Sequence, residues 1–157
     1  MHLAKIGTGG SEMVPASGGI MPNLNGILET AIHTEDMARS RAFYEGVLRL
    51  TPIYNDDRLT AYAAGGRDVL LVFRKGTTGQ TVTLLSGTIP GHGGDGALHL
   101  AFAITKDELD GWEAHLASHG IAIEGRNHWD RGGHSIYFRD PDGHLLELAT
   151  PGLWSVY

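Results

Sequence analysis

The sequence repeats itself. Gly26-Ile-Leu-Glu-Thr-Ala-Ile-His33 lies over Gly96-Ala-Leu-His-Leu-Ala-Phe-Ala103 at an offset of 70 residues, with Gly, Leu and Ala recurring in register and Glu29 falling on His99. Further on, Tyr62–Phe73 overlays Tyr137–Leu148 at an offset of 75. A repeat of this period means one supersecondary unit used twice, each copy unable to bury its apolar face alone. Both copies read as strand, helix, then about three strands, so the chain is expected to be an α+β protein of two tandem βαβββ modules.

The helical parts follow from spacing. Met37 to Leu48 places Met37, Tyr44, Val47 and Leu48 on one face, and the second stretch places Leu109, Trp112 and Leu116 on one face. Thr105 and Glu108 have the spacing of a capping box, and Gly120 marks a stop. These signals divide the chain into a low-order leader (1–25), a first module (26–85), a Gly-rich linker (86–95), a second module (96–151) and a short tail (152–157).

Composition narrows the function. The 157 residues carry a net charge of −6, and no block of Lys and Arg offers a nucleic-acid or anionic-membrane footprint. The absence of Cys excludes disulfides, thiolate metal sites and a cysteine nucleophile. No apolar run is long enough to span a bilayer, and the leader has no apolar centre of the signal-peptide kind. A cytoplasmic protein acting on a small molecule is expected. Nine His stand against twelve Lys and Arg, and imidazole is the commonest metal ligand, so their placement matters.

Alternation assigns the faces. Leu28, Thr30 and Ile32 share one side of the first strand, and Glu29, Ala31 and His33 the other; Leu98, Leu100 and Phe102 oppose His99, Ala101 and Ala103. The bulky faces suit a core, while the others are lined by small residues plus one potential ligand. Glu147, inside Leu145-Leu-Glu-Leu-Ala149, is a carboxylate in a buried strand, which costs several kcal/mol unless it is paired or bound to a cation. Glu29, His99 and Glu147 are therefore read as a three-ligand site of charge −2. Such a site suits Fe(II), Mn(II), Ni(II) or Zn(II) and leaves positions open for substrate oxygens. His33 is read as a fourth ligand or substrate contact. His128 and His134 flank Trp129 as acid–base candidates, and Trp129, Trp154 and Phe73 as stacking surfaces. His92 is read as a solvated side chain on the flexible Gly-rich loop, with closure of that loop over the pocket as the alternative, and His144 is placed in an exposed turn.

The Phe43-Tyr44-Glu-Gly-Val-Leu48 helix and the Tyr137-Phe-Arg-Asp-Pro-Asp-Gly-His-Leu-Leu-Glu147 tail, set in a duplicated unit, resemble the vicinal oxygen chelate superfamily over about residues 26–151. That group includes glyoxalase I, extradiol dioxygenases, fosfomycin-resistance proteins and bleomycin-binding proteins. The resemblance implies an open, U-shaped mixed β-barrel with helices outside, a divalent metal held at Glu29, His99 and Glu147, and a homodimer. Departures are visible: Glu29 replaces the usual His, and Val72 stands where glyoxalase I has a fourth ligand. His128 and Tyr137 match two spacings of extradiol dioxygenases, although Arg126 breaks the opening of that signature. Ser135 and Tyr137 match fosfomycin-resistance proteins, where Ala31 replaces a Thr. The reading is a metal-dependent enzyme acting on a small oxygenated substrate, with extradiol-type chemistry through Tyr137 and His128 ahead of isomerase or lyase chemistry. The alternative is a metal-free binding or sequestering protein that keeps only the cleft.

Overall fold

A computed structural model describes residues 22–157; most of the expected leader lies outside the described residues. Strand β1 (Glu29–Thr34) leads through a helix α1 (Met37–Arg41), which continues as π-helical turns over Ala42–Val47, into β2 (Thr51–Asn55), β3 (Leu59–Ala63) and β4 (Val69–Arg74). A hairpin of β5 (Val82–Leu84) and β6 (Gly87–Ile89) follows. The second module repeats the order: β7 (His99–Ala103), α2 (Leu109–Ser118), β8 (Gly125–His128), β9 (His134–Arg139) and β10 (Leu145–Ala149). The sheets are equivalent mixed four-stranded sheets, β1-β4-β3-β2 and β7-β10-β9-β8, and neither is closed into a barrel. The duplicated α+β unit is thus as the repeat predicts, and the β5–β6 hairpin lies across the expected boundary between the first module and the Gly-rich linker.

The helix ends are fixed locally. Asp36 caps α1 by accepting from the amides of Ala38 and Arg39 at 2.9 and 3.0 Å. Thr105 and Glu108 form the expected capping box, the Glu108 carboxylate accepting from the Thr105 amide at 3.0 Å. The Asp140–Gly143 turn closes through Gly143 N–H to Asp140 O at 3.1 Å, with Gly143 at φ +86°, a conformation that favours glycine.

Packing decides where the two sheets look. Ile32, Leu70, Val72 and Tyr62 from the first sheet join Ile136, Phe138, Leu146 and Leu148 from the second, with Phe43, Tyr44 and Leu116 from the helices, in one core. Each sheet therefore spends its apolar face on this shared core. The opposite faces, which carry Glu29 in one sheet and His99 with Glu147 in the other, are directed away from it.

Polar contacts bolt the modules together. Tyr44, fully buried, donates to Asp140 at 2.8 Å, and burial with the adjoining carboxylate pushes its phenol far above the usual range. His144 is buried, not exposed as the turn suggested. Its Nε2–H donates to the His33 carbonyl at 3.0 Å, and its Nδ1 accepts from the Leu98 amide at 3.1 Å. The ring satisfies backbone groups at the end of β1 and the start of β7 together.

Candidate metal centre

Strand β10 runs parallel to β7 and antiparallel to β9, and its register sets Leu145 opposite His99 and Glu147 opposite Tyr137. Parity turns Leu146 and Leu148 into the core, so Glu147 must emerge on the other face beside His99. Glu147 is 4% exposed, and its Oε2 lies 3.2 Å from His99 Nε2. Its other oxygen accepts from the Tyr137 hydroxyl at 3.2 Å. Burial above all, reinforced by the Glu147 carboxylate and opposed by Ser135, raises the Tyr137 phenol above its ordinary value. Tyr137 therefore remains a proton donor at neutral pH.

The tautomer of His99 is decided by the backbone. Its Nδ1 lies 3.1 Å from the carbonyl oxygen of Leu145, which only accepts, so Nδ1 carries the hydrogen. Nε2 of the neutral ring then turns a lone pair toward a carboxylate oxygen. Two lone pairs held at that distance repel unless a positive charge stands between them, either a proton or a metal ion. A carbonyl on the far nitrogen is also the usual outer partner of a metal-binding histidine. The 3.2 Å separation is short enough for the two atoms to be donors to one ion. The donor set fits a divalent metal.

Glu29 does not complete this pair within the chain. It is the exposed first residue of β1, on the outward face of the other sheet, and among the described residues no group of three His, Asp or Glu side chains converges to hold an ion.

Residues 26–148 match the profile of the Glyoxalase/Bleomycin resistance protein/Dioxygenase superfamily. The chain belongs to this superfamily. Among curated relatives, the metallothiol transferase FosB of Shouchella clausii (strain KSM-K16) is 29% identical over 129 residues, 81% of this chain and 81% of that protein. FosB of Bacillus licheniformis is 42% identical over 57 residues, 36% of this chain and 37% of its own length. Among solved structures, the lactoylglutathione lyase from Agrobacterium tumefaciens superposes with a TM-score of 0.77 at 29% identity, covering 85% of this chain and 99% of that one. The fosfomycin resistance protein FosX from Mesorhizobium loti, at 22% identity and a TM-score of 0.59, shares the fold; 83% of this chain and 96% of that chain are covered.

Within the superfamily frame, the structure revises several placements read from sequence. Parallel pairing sets Ala31 against Leu71 as it sets Ala101 against Glu147, so the first-module counterpart of Glu147 is Leu71, not Val72. Val72 is buried in the core, and neither side chain can bind a metal. His128 pairs with His134 across β8 and β9, while Gly125 pairs with Tyr137. His128 and His134 therefore share the face opposite Tyr137, their rings stacked at 4.4 Å and 10°. The expected partnership of His128 with Tyr137 is not formed.

Trp129 does reach the ligand-bearing side, its indole N–H donating to Ser135 at 2.8 Å, two residues along β9 from Tyr137. Phe73 and His33 stay with the first sheet, their rings stacked at 5.9 Å. His33 is buried, with Nε2 3.0 Å from the Thr78 hydroxyl, and does not approach His99. Trp154, in the tail, is exposed. The Leu145 carbonyl that orients His99 left no sequence signal, because any residue supplies a carbonyl; only the β7–β10 register finds it.

Proposed function

We propose that the chain is a divalent-metal-dependent enzyme of transferase or lyase type that acts on a small oxygenated substrate bearing, or meeting, a thiol. His99 and Glu147 are the metal ligands from one chain, and Tyr137 is the proton donor. The carrying observation is His99 Nε2 held 3.2 Å from an oxygen of a buried carboxylate while Nδ1 is turned to the Leu145 carbonyl. The names of the relatives support the thiol, since a metallothiol transferase and a lactoylglutathione lyase both handle sulfur-bearing molecules.

Glu29 is the third ligand, contributed by a second copy. Among the described residues of one chain Glu29 does not converge with His99 and Glu147, and the apolar faces of the two sheets are taken up by one core. A two-fold axis places the first sheet of each copy over the second sheet of the other and creates two identical clefts.

A bound divalent ion supplies Lewis-acid polarisation of a substrate oxygen. Glu147 keeps one oxygen for the ion and the other for Tyr137, so the phenol is aimed at the same place. Tyr137, protonated, donates to a substrate oxygen as negative charge develops on it. Trp129, fixed through Ser135, walls the cleft and stacks on a flat part of the substrate. The extradiol reading loses its support with His128 on the far face.

Elemental analysis of the purified protein is expected to find about one divalent ion per chain, lost in His99→Ala. Loss of free thiol in mixtures of small thiols with epoxides or 2-oxoaldehydes is the activity expected. No metal, and no thermal shift on adding Mn(II), Ni(II), Zn(II) or Fe(II), would return the chain to the metal-free binding proteins. Oxygen uptake with catechols in place of thiol loss would restore the dioxygenase.

A further inference from the structure

His99 stands at a place in the fold that does little to hold it. It is the first residue of β7, and β7 is an outer strand of its sheet. The segment before it, Gly91-His-Gly-Gly-Asp-Gly96, is rich in glycine. Strand ends at a sheet edge open most readily, and glycine supplies no stiffness. The His99 side chain is half exposed, at 50%, so packing does not fix the ring either. Its orientation depends on the Leu145 carbonyl, and that bond needs the backbone of β7 to be anchored just ahead of His99.

The anchor is a second imidazole. His144 is 4% exposed, and its backbone N–H donates at 2.8 Å to Asp140, the carboxylate that also accepts from Tyr44. The carbonyl of His33, an acceptor only, lies 3.0 Å from the His144 Nε2, so Nε2 carries the hydrogen and Nδ1 is left as an acceptor. That Nδ1 receives the Leu98 amide at 3.1 Å. The Leu98 carbonyl accepts from the Leu145 amide at 2.8 Å, and the Leu145 carbonyl takes the His99 Nδ1–H at 3.1 Å. Two successive residues, 144 and 145, thus grip both backbone groups of Leu98 and the ring of the residue after it.

The first module provides the control. Val69 pairs with Glu29 as Leu145 pairs with His99, and the Val69 amide donates to the Leu28 carbonyl at 3.0 Å. The backbone half of the grip is therefore repeated. At the place of His144 stands Asp68, which is exposed and makes no hydrogen bond to the Leu28 amide among the described residues. Pairing of the strands does not require the imidazole. The second module adds it directly ahead of a ring whose direction has to be kept.

We propose that His144 is a positioning residue: through the Leu98 amide, its Nδ1 holds His99 in the tautomer and direction that a metal ligand requires. The proposal rests on the reading of His99 as a ligand, but its first test needs no metal. His144→Asn sets an amide oxygen near the place of Nδ1 and keeps the acceptor for Leu98. His144→Gln sets an amide NH₂ near the place of Nε2 and keeps only the donor to His33.

In metal-free protein, nitrogen NMR of the imidazoles, with the His99 signals assigned by their loss in His99→Ala, is expected to show Nδ1–H alone in the wild type and in His144→Asn. Both tautomers are expected in His144→Gln. Mn(II) titration read by electron paramagnetic resonance should follow the same order, the Gln variant being weakened by roughly 10–100-fold, as for the outer partner of a metal ligand. A His144→Gln protein with the wild-type tautomer and affinity would overturn the proposal. So would a His144→Asn protein weakened as much as the Gln variant, since a ring that only packs, or only ties β1 to the second module, would not tell the two apart in this direction. Should the Gln variant fail to fold, hydrogen exchange of the Leu98 amide in the wild type decides: protection like that of the inner strands is expected, and exchange at the rate of a free loop would overturn the anchor. Wild-type protein that takes up no Mn(II) would sink the metal reading alone and leave the tautomer comparison to judge His144.

Discussion

Glu147 announces itself in the sequence because physics forbids what it seems to do. A carboxylate between leucines in a strand needs partners or a cation, and the structure sets the His99 ring beside one oxygen and the Tyr137 hydroxyl on the other. Tyr137→Phe removes only the proton donor. Metal content is expected to stay at the wild-type level while turnover falls by roughly 10²–10⁴-fold, the usual contribution of a positioned acid. Wild-type turnover in this variant would remove Tyr137 from the chemistry. His128 was misread for a reason at the same scale. Its distance in sequence from Tyr137 is the same whichever face it takes, and only the pairing of Gly125 with Tyr137 reveals that it takes the other. His144 was misjudged because a turn residue with polar neighbours looks solvated until two backbone groups from other strands are found on its ring.

At the level of strands and helices, most of the architecture was legible. The capping box, the helix faces and the alternation along β1, β7 and β10 are local patterns, and the structure keeps them. Not legible was how the end of β1 meets the second module, since that depends on long-range contacts. There His33 is enclosed by Thr78 and His92, and burial, followed by the neighbouring His92, lowers its pKa below 6.5. The unfolded chain takes up a proton near the ordinary value while the folded chain resists it. Stability is therefore full above about pH 6.5 and is lost as the pH falls through the lower folded value. Urea midpoints should drop as the pH falls below about 6.5, and drop less in His33→Asn, which has no proton to gain. Equal slopes in the two proteins would exonerate His33.

For the molecule as a whole, duplication accounts for candidate ligands that stand on two separate faces of one chain. Two modules that share a core through their apolar faces must turn their ligand-bearing faces outward. The sequence placed Glu29, His99 and Glu147 at related positions of the repeat, but it could not say whether those positions face one another in one chain or across two. Complementation separates these cases. Glu29→Ala and His99→Ala chains, each deficient in metal alone, are unfolded together and refolded as an equimolar mixture. If copies share sites, half of the dimers are mixed, and each mixed dimer rebuilds one of its two clefts, so about a quarter of wild-type metal binding returns. If each site belonged to a single chain, every cleft in the mixture would still lack a ligand and nothing would return.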